Sequence, residues 1–123
     1  MTTESFGREL RLLTASDYKC VFDQAQYKVS RPQILILAIE NNQPEPRLGL
    51  VIARKNIRLA VQRNRAKRLM RESFRHHQQL LQGLDIVILA RRDLDKLDNA
   101  ALSSCLETLW QDIIRRRNRK AAR

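Results

Sequence analysis

The spacing of hydrophobic positions changes several times along the chain, and each change predicts a new secondary-structure element. Short apolar runs rich in β-branched residues predict three strands, at residues 33–40, 47–53 and 85–90. Apolar positions three and four residues apart predict three helices, at residues 16–24, 63–81 and 100–117. The predicted order is α-β-β-α-β-α, which indicates an α/β (α+β) two-layer sandwich.

Turn-forming and capping residues mark the boundaries between these elements. The segment 41–46, Asn-Asn-Gln-Pro-Glu-Pro, predicts a turn that joins the first two strands as a hairpin. Gly83 is expected to end the central helix, and Thr14 or Ser16, with Asp17, to cap the first helix. If the strands on either side of the central helix are parallel, the default crossover between them is right-handed.

The central helix is predicted to have an apolar face and a cationic face. The apolar side carries Ala66, Leu69, Met70, Ser73 and His77, and continues into Leu80 and Leu81. The other side carries Asn64, Arg65, Lys67, Arg68, Arg71 and Arg75. Solvated helix faces usually mix charges at a spacing of four residues, but Arg63, Lys67 and Arg71 repel one another at that spacing. The cationic face is therefore expected to bind a polyanion.

The net charge of +11 over 123 residues strengthens this interpretation, because it is concentrated in two places. Residues 63–75 hold six cations and one anion, and residues 115–123 hold six cations and no anion. We expect a single RNA-binding domain over residues 1–123, with an extended N-terminal arm at 1–13. The basic tail at 115–123 is expected either to fray into solvent or to become ordered only on RNA.

Two aromatic side chains stand out on the first helix. Tyr18 and Phe22 are four residues apart and share one face, whereas Val21 lies on a flank better suited to the core. The first strand, residues 33–40, is apolar on both faces, so one face could remain open to a ligand. The two aromatic rings could pack in the core or stack on unpaired bases, and both interpretations stay open from the residues alone.

The sequence contains no recognisable catalytic or metal-binding motif. Adjacent His76 and His77 point in different directions on a helix, and the acidic residues Asp93, Asp95 and Asp98 indicate a loop with a helix cap. Cys20 and Cys105 are expected to be buried free thiols of a cytoplasmic protein. No signal-peptide pattern or membrane-spanning apolar run is present, and a membrane-surface role is disfavoured because the basic helix has neither a Trp nor a broad apolar face for insertion.

The motif Arg63-Asn64-Arg65-x-Lys67-Arg68-x-x-Arg71-Glu72 resembles the signature of the bacterial ribonuclease P protein family, in its gammaproteobacterial form. Four further segments resemble the family in the same order, at residues 6–12, 17–22, 47–55 and 85–91. The resemblance covers about residues 6–114. It implies a ribosomal protein S5 domain 2-like fold with an unusual left-handed βαβ crossover, in place of the right-handed default.

The resemblance also implies a function. The family's ribonucleoprotein is an endoribonuclease that removes the 5′ leader from precursor tRNA, with the catalytic centre and most of the Mg²⁺ in an RNA subunit. The protein subunit is then a cytoplasmic monomer in a 1:1 complex with that RNA. It binds no metal alone and helps to bind the substrate. The alternative is a non-catalytic protein that binds ribosomal RNA.

The residues that match the family's two binding regions follow from the alignment of these motifs. The RNA subunit is expected to contact Arg54, Lys55, Arg58, Arg63, Asn64, Arg65, Lys67, Arg68 and Arg71. The 5′ leader is expected to contact Tyr18, Phe22, Ile34, Ile36, Lys67 and Arg71. No residue of this chain is expected to be catalytic.

Overall fold

The computed structural model describes residues 11–122, which form five strands and three helices. The strands are β1 (Arg11–Leu12), β2 (Tyr27–Arg31), β3 (Ile34–Glu40), β4 (Arg47–Val51) and β5 (Leu84–Ala90). The helices are α1 (Ala15–Gln24), α2 (Ala60–His76) and α3 (Asn99–Ala121), and a short 3₁₀ turn lies at Leu94–Lys96. The mixed α/β class predicted from the sequence is confirmed. Most of the predicted N-terminal arm lies outside the described residues.

The strands form a single sheet in the order β1-β4-β5-β3-β2, and this order contradicts the predicted hairpin. β3 and β4 are not neighbours, because β5 lies between them, antiparallel to β3 and parallel to β4. The true hairpin joins β2 to β3 through Pro32 and Gln33, with Arg31 opposite Ile34. The turn-rich segment 41–46 instead crosses the start of β5, where the Asn41 amide nitrogen donates to Gly83 O at 2.8 Å.

The parallel strands β4 and β5 are joined through α2, so the three elements form a βαβ unit. The carboxyl ends of both strands therefore meet at one edge of the sheet. Asn56, in the loop after β4, donates through Nδ2 to Ala90 O at the end of β5, at 3.0 Å. This bond fixes the loop that leads into α2. The left hand of the crossover stays a prediction.

The two faces of the sheet are covered unequally. The face that packs against α2 and α3 forms the larger core, which includes Ile34, Ile36, Leu48, Ile86 and Ile88. The opposite face packs against the ten-residue helix α1 through a smaller cluster of Leu13, Val21, Leu37 and Val87. Val21 is fully buried, as its position on the helix predicted. Strand alternation thus gives β3 one fully covered face and one partly covered face.

The central helix is shorter than predicted at its carboxyl end. Its buried stripe is Ala66, Met70 and Phe74, and the helix ends at His76, where turns replace it. Leu81 is still fully buried in the core, but it reaches the core from the turn segment and not from the helix. Gly83 has a positive φ of 80° and ends that turn segment, one residue before β5.

The thiol of Cys20 was expected to be buried, and it is exposed because it lies on the side of α1 away from the sheet. Cys105 is partly buried, and both cysteines are free.

The last helix is longer than predicted, and a charged cluster holds its carboxyl end against the sheet. Asp98 caps α3 by accepting from the Ala101 amide at 2.8 Å, and the helix continues to Ala121 beyond the expected end at residue 117. Near that end the Arg117 guanidinium donates to both carboxylate oxygens of Glu40, each at 2.8 Å. The Tyr27 hydroxyl donates to the same carboxylate at 2.9 Å. Residues 115–121 are therefore helical and attached, and not a fraying tail.

The Glu40 carboxylate makes stability depend on pH. Burial pushes its pKa upwards, but the hydrogen bonds from Arg117 and Tyr27 and the charges of Arg117 and Lys120 outweigh burial and hold the pKa below its ordinary value. A lowered carboxyl pKa contributes stability above the ordinary pKa, and that contribution is lost as the pH falls through the lowered value. We expect urea unfolding between about pH 7 and pH 3 to show a steeper loss in the wild type than in Glu40→Gln.

The exposed Glu107 gives the matched control, because its side chain lies on the same helix as Arg117. Glu107→Gln should keep the wild-type pH profile. Equal flattening in both variants would show that the cluster at Glu40 is not the source of the pH dependence.

Candidate nucleic-acid interface

One face of the cationic helix α2 packs against the core, as its sequence pattern predicted for Ala66 and Met70, which are fully buried. Phe74 was not part of the predicted face and is also fully buried, whereas Leu69 is only partly buried. Phe74 makes an edge-to-face contact with Trp110 of α3, with ring centroids 6.3 Å apart, and the Trp110 Nε1–H donates to Ser73 Oγ at 2.8 Å. These contacts hold the buried side of α2 and leave its other side at the surface.

Arg65 takes part in the packing between helices, and its RNA contact stays a prediction from the motif. Its Nε donates to Gln62 Oε1 at 2.9 Å, and its Nη1 donates to Asn99 Oδ1 at 2.7 Å. Its Nη2 donates to the carbonyls of Asp95 and Leu97 at 3.3 and 2.9 Å. All three guanidinium nitrogens are thus used within the chain, so Arg65 joins α2 to the start of α3.

Arg63 is similarly used to shape the segment before the helix. Its Nη1 donates to the carbonyls of Ile57 and Arg58 at 2.9 and 2.8 Å. The N-cap position, Leu59, has no capping side chain. Arg63 therefore satisfies backbone oxygens in the lead-in to α2 and holds Arg58 in place.

The remaining cations near α2 are presented to solvent. Asn64 and Arg68 are exposed on the helix, and Lys67 and Arg71 are half-buried. The loop before the helix adds three exposed cations, at Arg54, Lys55 and Arg58. Arg92 is also exposed, and it lines one groove with Lys55, Arg58 and Lys96. We call the exposed set the α2 surface: Arg54, Lys55, Arg58, Asn64, Arg68 and Arg92.

Sequence reasoning did not single out Arg92. Arg92 follows β5, and the parallel pairing of β4 with β5 brings it beside the loop that follows β4. The parallel strand–helix–strand unit considered from the sequence implies this neighbourhood, because the segments after two parallel strands meet at one edge of the sheet. The residue was missed because only the cations of the central motif and of the loop before it were carried over.

The two isoleucines predicted to contact a single-stranded RNA lie on the wrong face of the sheet. Ile34 and Ile36 are fully buried in the core beneath α2 and α3. Strand alternation places Leu35, Leu37 and Ile39 on the partly covered face instead. The prediction for Ile34 and Ile36 is therefore wrong. The residues next to them in the strand face the partly covered side, because neighbouring side chains of a strand point to opposite faces.

Tyr18 is fixed above β4 by backbone contacts. Its hydroxyl accepts from the Leu50 amide at 2.9 Å and donates to the Leu50 carbonyl at 3.3 Å. The ring lies directly over Gly49, where an added Cβ would meet it at 2.6 Å. Only glycine allows this close approach, so the ring of Tyr18 is positioned rigidly and remains half-buried.

An apolar shelf lies beside α1 on the partly covered face of the sheet. Val51, Leu89 and Leu35 are direct partners across three strands, and all three are only partly buried. Asp17, on one flank of α1, pairs with Arg47 at the start of β4. The Tyr18 hydroxyl reaches Leu50, next to Val51 of the shelf, and Phe22 lies four residues further along the same face of α1.

The exposure of Phe22 indicates a binding role for this shelf. Its side chain is 44% exposed although it is a large apolar ring. Such exposure is common for a single residue, but Phe22 shares its helix face with Tyr18, which packs with the partly buried apolar side chains of this side of the sheet. An unpaired base could stack on this ring and cover the row.

The acidic and histidine side chains do not form a metal centre in the described part of the chain. Within residues 11–122 no three histidine, cysteine or acidic side chains are grouped as ligands. Asp93 is paired with Lys96 at 3.3 Å, and Asp98 is used as a helix cap. These donors do not fit a resident Mg²⁺ ion. None of the described helices has the length and apolar character needed to cross a membrane.

Comparison with known proteins decides the family. The family model for ribonuclease P matches residues 6–122. The chain belongs to the ribonuclease P protein family. The ribonuclease P protein component of Pseudomonas aeruginosa is 50% identical over 119 residues, which cover 97% of this chain and 88% of that protein. The expected gammaproteobacterial character fits this relative.

Solved structures of the ribonuclease P protein family agree with the fold. The Thermotoga maritima protein has a TM-score of 0.71 at 28% identity, over 81% of this chain and 94% of that one. The Staphylococcus aureus protein has a TM-score of 0.75 at 24% identity, over 82% and 92% of the two chains. The chain is thus a protein subunit of the tRNA-processing endoribonuclease ribonuclease P, in which the catalytic RNA is a separate subunit.

The contrast between Arg65 and Arg68 can be tested by unfolding. Arg65→Ala removes hydrogen bonds from three acceptors of α3 and its lead-in, so we expect a loss of about 1–3 kcal/mol in the free energy of unfolding. Arg68→Ala removes an exposed side chain, and the change should stay within about 0.5 kcal/mol. Urea titrations followed by circular dichroism measure both. Equal stability of the two variants would contradict the structural role of Arg65.

Proposed function

We propose that the chain binds the catalytic RNA subunit through the α2 surface and the single-stranded 5′ leader of precursor tRNA along the shelf beside α1. The observation that carries this proposal is that the two surfaces meet at one edge of the sheet. β4 ends at Val51 and β5 ends at Ala90, and the shelf and the cationic loops lie at these ends. The folded RNA subunit can therefore approach this edge of the sheet from the side of α2, and the single-stranded leader can approach it from the side of α1.

The α2 surface suits the phosphate backbone of a folded RNA. Its cations come from a loop, a helix and the turn after β5, so they are spread over a surface and not along one line. Guanidinium groups bind phosphate oxygens through paired hydrogen bonds, and four of the five cations are arginines. Arg63 and Arg65 support this surface from within the protein.

The shelf suits a strand whose bases are unpaired. Its floor is apolar, and the neighbouring edge strand adds the exposed side chains Lys28 and Ser30 on the same face. A base stacked on Phe22 would cover apolar area, and Lys28 could pair with a phosphate of the same strand. Lys67 and Arg71 remain expected contacts of the leader from the sequence motif.

The proposed division of labour leaves the chemistry to RNA. We propose that this chain binds and orients the RNAs while the RNA subunit holds the metal. We propose a 1:1 complex in the cytoplasm, where unpaired cysteines such as Cys20 and Cys105 persist.

A protein that only binds ribosomal RNA is the alternative, and the shelf argues against it. A duplex-binding protein needs cations but has no use for an exposed ring beside a row of partly covered apolar residues. The apolar shelf therefore favours a partner with unstacked bases.

The proposal is tested by adding the chain to its RNA subunit and precursor tRNA at low Mg²⁺. We expect the protein to restore cleavage at the 5′ end, and to have no nuclease activity alone. Arg68→Ala should require a higher protein concentration for the same rate, whereas Lys19→Ala, an exposed cation on α1, should not. Failure of the wild-type protein to restore cleavage would reject the proposed function.

Phe22→Ala tests the shelf separately. Loss of base stacking should weaken binding of leader-bearing precursor tRNA by about 1–3 kcal/mol and leave binding of mature tRNA unchanged. Both affinities are measured with the assembled ribonucleoprotein by fluorescence anisotropy.

The control is Cys20→Ser, which alters another exposed position of α1 and should change neither affinity. Equal losses for precursor and mature tRNA in Phe22→Ala would assign the ring a general structural role.

A further inference from the structure

The carboxyl end of α3 carries cations that the α2 surface does not include. Two of these cations are already engaged, because Arg117 pairs with Glu40 and Arg115 pairs with Asp112 at 2.8 and 2.9 Å. Arg116 and Arg119 are exposed and have no ion pair or hydrogen bond within residues 11–122. They line one surface depression with Lys120, Gln26 and Tyr27. We call Arg116, Arg119 and Lys120 the α3 end.

The α3 end is rigidly held and not a loose tail. The bidentate contact between Arg117 and Glu40 fixes the last turns of the helix to β3. Lys120 Nζ lies 5.9 Å from the centre of the Tyr27 ring, at the edge strand β2. A cationic surface on a fixed helix loses less conformational entropy on binding than the same charges on a disordered segment.

The α3 end lies far from the α2 surface but in the same layer of the fold. α3 begins beside Arg65, where Asn99 accepts its hydrogen bond, and Arg119 lies 20 residues further along the helix. At a rise of 1.5 Å per residue this separation is about 30 Å. Both surfaces belong to the helices that cover one face of the sheet, whereas the shelf lies on the other face.

We propose that the α3 end is a second phosphate-binding surface for the catalytic RNA subunit, so that the chain bridges two separate segments of that RNA. The proposal rests on the proposed function of the α2 surface. A guanidinium group that has no acceptor within the protein can donate paired hydrogen bonds to phosphate oxygens. The acidic side chains that form ion pairs near the α3 end, Asp112 and Glu40, are already paired with Arg115 and Arg117.

The position of the α3 end favours the RNA subunit over the leader strand as its partner. The leader would lie on the opposite face of the sheet, at the Val51 end of β4, whereas the α3 end lies beside Tyr27, which pairs in register with Ala38 near the other end of the strands. An RNA that is large and folded, and that already contacts α2, can extend along α3 on the same side. A lone strand on the shelf is separated from these cations by the sheet itself.

Directed cleavage with a tethered iron chelate tests this assignment. Arg119→Cys and Arg68→Cys are made separately in a Cys20→Ser, Cys105→Ser background, and each is coupled to iron–EDTA and assembled with the RNA subunit and precursor tRNA. We expect the chelate at position 68 to cleave one segment of the RNA subunit. The chelate at position 119 is expected to cleave a different segment of the same RNA.

The two positions separate the possible failures. Cleavage of the RNA subunit from position 68 but not from position 119 would overturn the second surface and leave the proposed function intact. No cleavage of the RNA subunit from either position would reject the proposed function itself. Cleavage from position 119 confined to precursor tRNA would overturn the proposal by assigning the α3 end to the substrate.

The salt dependence of RNA-subunit affinity gives an independent test that needs no chemical label on the protein. The double variant Arg116→Ala, Arg119→Ala should lower the slope of log affinity against log salt by about 0.7–0.9 for each lost phosphate contact. Lys19→Ala, which removes an exposed cation on α1, should leave the slope unchanged. Because Arg116 and Arg119 are exposed and make no hydrogen bond or ion pair within residues 11–122, the unfolding midpoint should also stay constant. An unchanged slope in the double variant would overturn the proposal.

Discussion

The parallel pairing of β4 with β5 is the constraint on which the rest of the structure depends. Five register pairs, from Arg47 with Asp85 to Val51 with Leu89, align the two strands and bring their carboxyl ends together. The buried Asp85 fixes the other end by accepting from Arg47 at 2.8 and 2.6 Å and from Asn41 at 2.9 Å. Because the strands cannot slide, the loops that follow them, the start of α2 and the shelf share one edge of the sheet.

Several arginines of this basic protein make hydrogen bonds inside the fold and therefore have structural roles. A run of cations cannot all face a ligand when the helix that carries them must also be attached to its neighbours. Arg65 joins α2 to α3, Arg63 supports the loop before α2, and Arg117 attaches α3 to β3. Each uses a guanidinium fork on internal oxygens, which is the chemistry that also suits phosphate. Charge alone therefore does not separate the cations that have internal partners from those that do not, and the RNA contacts of Arg63 and Arg65 stay predictions.

Parts of the candidate site that depend on residue spacing along one helix were predictable from the sequence. Parts that depend on how the strands pair and which face they expose were not. Helical spacing placed Ala66 and Met70 on the buried face of the central helix and assigned Val21 to the core, although it left out the equally buried Phe74. The register of β3 was not predictable, because the strand is apolar at successive positions and alternation then gives no sign of which face is open. Ile34 and Ile36 were therefore exchanged with Leu35 and Leu37. The strand β2 was missed for a different reason: its five residues do alternate, but the pattern is short and was not recognised.

The sequence by itself determined the mixed α/β class, the two-faced central helix, the concentration of charge and, through the motif at residues 63–72, the ribonuclease P protein family. These features depend on residues close together in the chain, where period and composition are sufficient. Only the tertiary structure decided that β5 separates β3 from β4, that Arg92 joins the α2 surface, and that Arg65 does not. Each of those facts depends on which distant segments become neighbours. Which segments become neighbours depends on burying the apolar faces of the whole sheet, so it cannot be predicted from a short stretch of sequence.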